Sequence, residues 1–152
     1  MITTSDVHNH RFQYYGLLLW FLGALFFFCE YLLRVAPSVM VNDLEAYFLI
    51  GPIGIGALSS FFYYPYILMQ IPVGSITDRY GVRTTLTFAT LVCALACLLF
   101  VTVHSIEYAI MARALMGFSA AFAFVGTLRI AIDWFDVKYF PLLAGCTQGL
   151  GM

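Results

Sequence analysis

The sequence predicts an all-α membrane protein, and two observations carry that prediction. Of its 152 residues, 62% are hydrophobic and only 10% are charged, against roughly 45–50% and about 25% in an ordinary soluble domain. The mean hydropathy is +0.92. Too little polar surface is left to wrap one compact core, so the apolar residues must face lipid. Those residues also fall into long runs close to the ~20 residues that a helix needs to cross a hydrocarbon layer about 30 Å thick. A soluble enzyme and a disordered tail are excluded. So is a nucleic-acid binder, because a net charge of −1 and a pI near 6.2 provide no clustered basic face.

The first span is set at residues 14–40. It is uncharged from Tyr14 to Cys29 and then takes in Glu30 and Arg34 before Pro37 and Met40. The uncharged stretch 46–77 is too long for one span and too short for two. Gly51, Pro52, Gly54 and Gly56 break its start, so the second span is set at 53–76, with Pro65 and Pro72 as tolerated kinks. The third runs over 82–103 and the fourth over 106–134. After a turn at 136–141, a fifth run at 142–152 reaches only about 16 Å as a helix, roughly half the hydrocarbon. A chain end there would strand polar groups in lipid, so the sequence is expected to be cut short, whether as an expressed fragment, a truncated reading frame or one piece of a split protein.

Lys and Arg give the orientation. Arg11, in the polar segment 1–13, lies on one side together with Arg79, Arg83 and Lys138, whereas 41–52 and 104–108 carry neither residue. The N-terminus is therefore expected in the cytoplasm, with the protein in the inner (plasma) membrane. A cleaved signal peptide is disfavoured, because the first run is too long, holds Glu30 and Arg34, and lacks a small-residue cleavage site. Tyr14, Tyr15, Trp20 and Trp134 suit an interfacial belt, or equally the scatter of an aromatic-rich membrane protein. Cys29, Cys93, Cys97 and Cys146 sit in apolar runs and read as small buried hydrophobes, not as a disulfide frame or zinc site. His8, His10 and His104 fall in polar ends or loops and read as solvated. No nucleophile elbow or phosphate loop is present. The expectation is no enzyme, no cofactor and no metal.

The connection between the second and third spans, Gly74-Ser75-Ile76-Thr77-Asp78-Arg79-Tyr80-Gly81-Val82-Arg83, compresses two glycines, an acid and two arginines. Gly74 would admit a close helix, and Gly81 can take the positive φ of a sharp reversal. Asp78 suits a facing helix N-terminus. Arg79 and Arg83 would pair with acids or stay in water. An ordinary loop explains the arginines but not the spacing of glycine and aspartate. The pattern G-x-x-x-D-R-x-G-x-R resembles the signature of the major facilitator superfamily, which lies between that family's second and third helices. Thr84 departs from it where a further basic residue is common. The start of the fourth span, Arg113-Ala114-Leu115-Met116-Gly117-Phe118, its exit at Trp134-Phe135, and Gly145, Gly149 and Gly151 beyond are similar to the family's fourth and fifth helices. The resemblance implies four transmembrane helices plus the start of a fifth, from a six-helix half of a twelve-helix transporter that rocks about a midplane site. The missing C-terminal half would then be an obligatory partner.

Charges inside a span are expensive unless paired or hydrated, which makes each one a functional candidate. Glu30 and Arg34 share a helix face and are expected to pair. Counted along their helices, Arg34 lies about 9 Å, Glu30 about 15 Å and Arg113 about 8 Å below the outer surface. The first and fourth helices line the cavity in the family, so the three residues are expected to form one cluster holding an anion or exchanging a proton. The plainer alternative is a neutralised pair plus an arginine reaching to the interface. Arg129 is either a second anion contact or a partner of Asp133, and Asp133 or Asp136 is placed to meet Arg79 or Arg83 as an inner latch. The expected function is transport of a small solute across the bilayer by a secondary transporter, with a lean to an organic anion or zwitterion and with proton symport as an option. A non-transporting membrane scaffold or regulatory module, or an inactive transporter remnant, is the alternative.

Overall fold

The computed structural model describes residues 4–151, with side chains from residue 14 onward. Arg11, His8 and His10 therefore lie outside the described side chains. The chain folds as α1 (Thr4–Val39), α2 (Val41–Phe48), α3 (Pro52–Gln70), α4 (Pro72–Tyr80), α5 (Val82–Thr102), α6 (Ile106–Trp134), a 3-10 turn at Val137–Tyr139 and α7 (Phe140–Leu150). Among the described residues there is no strand. Tyr14–Val39 of α1, α5 and α6 are each long and apolar enough to cross a membrane, and α2 with α3, bent by 107°, makes a fourth candidate.

Two elements differ from expectation. The segment between the first two spans contains a helix, α2, that packs Leu44 against Ile55, Leu58 and Ala109. Leu49 closes it in the left-handed conformation, with φ 52° and its N–H bonded to the Glu45 carbonyl. The second span is α3 followed by α4, with Pro65 kept inside α3. Pro72 has no N–H to donate, so one helical bond is missing at that turn. Ile71 nevertheless keeps helical angles of φ −74° and ψ −53°, and α4 continues to Tyr80.

Helix α6 forms the centre, packed against α1, α3 and α5. Its buried positions are mostly small: Ala109, Ala112, Gly117, Ala120, Ala123, Gly126 and Ala131. Without a hydrophobic drive between helices in lipid, such residues let backbones close to van der Waals contact. A Cβ at Gly117 would collide with the Phe62 carbonyl oxygen of α3, so the two backbones touch there. The facing surfaces follow helical periodicity, with Ile55, Leu58 and Phe62 buried on α3 and Thr85, Ala89, Cys93 and Ala96 on α5. Trp20 of α1 donates its indole N–H to Thr147 Oγ1 of α7 at 3.1 Å, inside the protein.

Candidate functional site

Polar groups gather in two places. The first lies where α1, α3 and α6 meet. Glu30 is 1% exposed and Arg113 2% exposed, so neither reaches the surface; the alternative in which Arg113 extends to the interface does not hold. Arg113 Nη1 instead donates to the Leu33 carbonyl of α1 at 2.7 Å and approaches Met116 Sδ at 3.8 Å. Its guanidinium lies 4.9 Å from the centre of the Phe62 ring. Arg34 lies 5.4 Å from that same ring, 5.8 Å from Tyr63 and 4.6 Å from Tyr66. Two guanidinium groups thus share one aromatic residue of α3; the ring quadrupole favours each contact, and the like charges oppose their being together.

The expected Glu30–Arg34 pair is absent. Among the described residues no salt bridge joins Glu30 to either arginine. Helical spacing permits the pair, but neighbouring helices claim both partners: Arg34 turns into the aromatic face of α3, and Glu30 Oε1 lies 2.7 Å from Ser119 Oγ of α6. Glu30 Oε2, Arg34 Nε, and Arg113 Nε and Nη2 are buried without a hydrogen-bond partner. Orphaned polar atoms of this kind are rare in folded proteins and call for an explanation.

The second cluster lies at the α4–α5 connection. Arg129 Nη1 meets Asp78 Oδ1 at 3.0 Å, and Arg129 Nε meets Asp133 Oδ1 at 3.1 Å. Asp78 therefore finds a guanidinium, not a helix N-terminus. Arg129 makes the intrahelical contact considered for it, bridges to α4 as well, and lies about 24 Å along α6 from Arg113. Asp133 and Asp136 do not reach Arg79 or Arg83, because Arg129 occupies Asp133 and Lys138 holds Asp136 at 3.4 Å. Among the described residues Arg79 and Arg83 form no ion pair. Arg79 lies over Tyr80, 5.7 Å from its ring centre, and Arg83 lines an apolar groove of about 950 Å³ between α1 and α5. Gly81 has φ +79° and caps α4 through the Thr77 carbonyl, as the reversal requires. No atom comes within 4 Å of a Cβ at Gly74, so the close approach expected there is not made by the described chain.

Sequence reasoning missed Ser119, Phe62 and Tyr66. Ser119 had a usable signal, a hydroxyl in a row of alanines between Arg113 and Thr127; the rings had none, since α3 is aromatic on several faces.

Comparison with known proteins gives a consistent result. The family model described as Major Facilitator Superfamily matches residues 19–150. A nitrate/nitrite transporter, NrtP, of Picosynechococcus is 33% identical over 82 residues, 54% of this chain and 15% of the relative. An uncharacterized transporter, YybO, of Bacillus subtilis is 28% identical over 119 residues, 76% of the chain and 27% of the relative. A probable galactarate/D-glucarate transporter, GudP, of Escherichia coli is 31% identical over 112 residues, 70% of the chain and 24% of the relative. The chain thus spans about a quarter or less of the length of these relatives. No solved structure matches at a significant level.

Proposed function

The chain belongs to the major facilitator superfamily, and on that premise we propose that it forms part of a secondary transporter that moves a small anionic solute by alternating access, coupled to protons. The observation that carries this reading is the pair of guanidinium groups at Phe62, with three buried nitrogens that lack acceptors. A buried and a half-buried like charge without a counter-ion are costly. The oxygens of a carboxylate or similar oxyanion would accept from those donors, in the bidentate geometry that arginine favours. The names of two relatives, for nitrate/nitrite and for galactarate/D-glucarate, each specify an oxyanion, which supports the lean.

Glu30 supplies the proton coupling. Two arginines and one ionised glutamate leave a single net positive charge in the cluster, and protonation of Glu30 leaves two, so anion binding strengthens when the proton is on. The direction is symport. In this reading the N-terminus is cytoplasmic in the plasma membrane, and the missing C-terminal half supplies the opposite wall of the cavity. Asp78, Arg129 and Asp133 form the inner latch, with Gly81 making the reversal beside it.

The test is uptake of labelled nitrate and glucarate into proteoliposomes holding the complete protein, with and without an inward proton gradient. Gradient-stimulated uptake of at least one, abolished by Arg113→Gln and strongly reduced by Arg113→Lys, is expected. Uptake that ignores both substitutions would overturn the reading.

A further inference from the structure

We propose that Ser119 is a positioning residue that reads the proton on Glu30 and passes its state to α6, and that the geometry described above is that of the protonated glutamate. This rests on the proton-coupled reading of the cluster. Ser119 Oγ lies 2.7 Å from Glu30 Oε1 and 2.8 Å from the Met116 carbonyl. A serine hydroxyl carries one proton. A backbone carbonyl and an ionised carboxylate are both acceptors, so with Glu30 ionised only one of these contacts holds a hydrogen and the other presses two oxygen lone pairs together. With Glu30 protonated both are satisfied: the carboxyl O–H donates to Ser119 Oγ, and the Ser119 O–H donates to the Met116 carbonyl.

Two further observations point the same way. Glu30 Oε2 is buried with no N–H or O–H donor, the weak thiol of Cys93 being a partner of the carboxyl beside Ser119, which is far less costly for the carbonyl oxygen of a neutral acid than for half of a carboxylate. Neither arginine has turned to Glu30, although Arg34 is one helical turn away and Arg113 is anchored at Leu33. The groups around the carboxyl are Arg34 on its own helix, Arg113 and Ser119 on α6, and Cys93 and Cys97 on α5, with Tyr63 and Tyr66 of α3 beyond the arginines. Of these groups, the arginines are the cations that an ionised Glu30 would attract.

When the proton leaves Glu30 for cavity water, the Ser119 O–H swings from the Met116 carbonyl to the carboxylate. The arginines then have a protein anion to pair with and release the solute. Ser119 thereby ties the charge on α1 to the backbone of α6 one turn from Arg113.

The test is infrared difference spectroscopy of the purified complete protein at neutral pH, read at the carboxyl C=O stretch. Wild type is expected to show a protonated-carboxyl band that Glu30→Gln removes. Ser119→Ala should move that band to higher wavenumber by removing its hydrogen-bond partner, and Ser119→Thr, which keeps the hydroxyl, should return it. Absence of a band assignable to Glu30, or a band indifferent to Ser119→Ala, overturns the proposal, even if proton-driven uptake is observed. A band that behaves as expected in a protein that transports neither test anion supports the Ser119 relay while the transport reading falls.

Discussion

Replacing Asp78 by Asn removes one charge from the pair that joins α4 to α6, and its size follows from exposure. Arg129, Asp78 and Asp133 have side chains 44%, 62% and 41% exposed. An ion pair this open to water contributes about 0.2–1 kcal/mol, and Arg129 retains Asp133 in the variant, so a single such pair is at stake. Folding should not register it, since it lies within the range of a neutral surface change. A balance between two access states is more sensitive: the same energy converts to about a 1.4- to 5-fold change in their ratio at room temperature. The assay is a distance distribution between spin labels at Tyr80 and Lys138 in the complete protein, with uptake normalised to inserted protein. The open population should rise by up to about 5-fold in Asp78→Asn, further in Arg129→Gln, which loses both contacts, and in wild type at molar salt, where screening acts within about 3 Å. Distributions that stay unchanged in both variants would refute the latch, and so would loss of inserted protein in Asp78→Asn, because that would make the pair a folding element.

Other outcomes are expected from the same geometry. Gly117→Ala forces a methyl against the Phe62 backbone and should cost about 1–3 kcal/mol in denaturant titration of detergent-solubilised protein, whereas Gly74→Ala, facing open space, should be neutral or slightly stabilising. Thr147→Val leaves the Trp20 indole N–H without its acceptor and should destabilise by about 1–3 kcal/mol in the same titration, with Trp20→Phe on that background adding little through the hydrogen bond. For topology, membrane-impermeant thiol reagents applied from outside should label cysteines placed at Asn42 and Ser105 but not at Lys138. The reverse pattern would invert the orientation.

The spans could be read from the sequence because length and hydropathy are properties of one segment at a time. Helices α5 and α6, at Val82–Thr102 and Ile106–Trp134, are such segments. Helix α2 escaped because its apolar positions, Val41, Leu44 and Phe48, are too few to suggest a span, although they repeat at helical spacing and mark a face for α3 and α6. Charges in apolar surroundings can be picked out of the sequence, but the groups their side chains meet cannot. Spacing along one helix shows that Glu30 can meet Arg34. It contains nothing about Ser119 or Tyr66 arriving from other helices and competing for both. The same limit hid the contact between Asp78 and Arg129, which are far apart in the chain. Depth counting placed Arg113 near the surface because it measures height along a helix axis and ignores which way the side chain faces.

The backbone contact between Gly117 and Phe62 divides α6 unequally. With no side chain between the helices at that point, α6 has nowhere to retreat towards α3, and the contact behaves as a fulcrum. Arg113 lies about 6 Å from it along the axis and Arg129 about 18 Å on the other side. A tilt of about 10° around it would carry Arg129 about 3 Å and Arg113 only about 1 Å. The long arm would travel far enough to part Arg129 from Asp78, while the short arm keeps its grip on the Leu33 carbonyl, so the buried cluster would act on the latch with a mechanical advantage of about three in displacement.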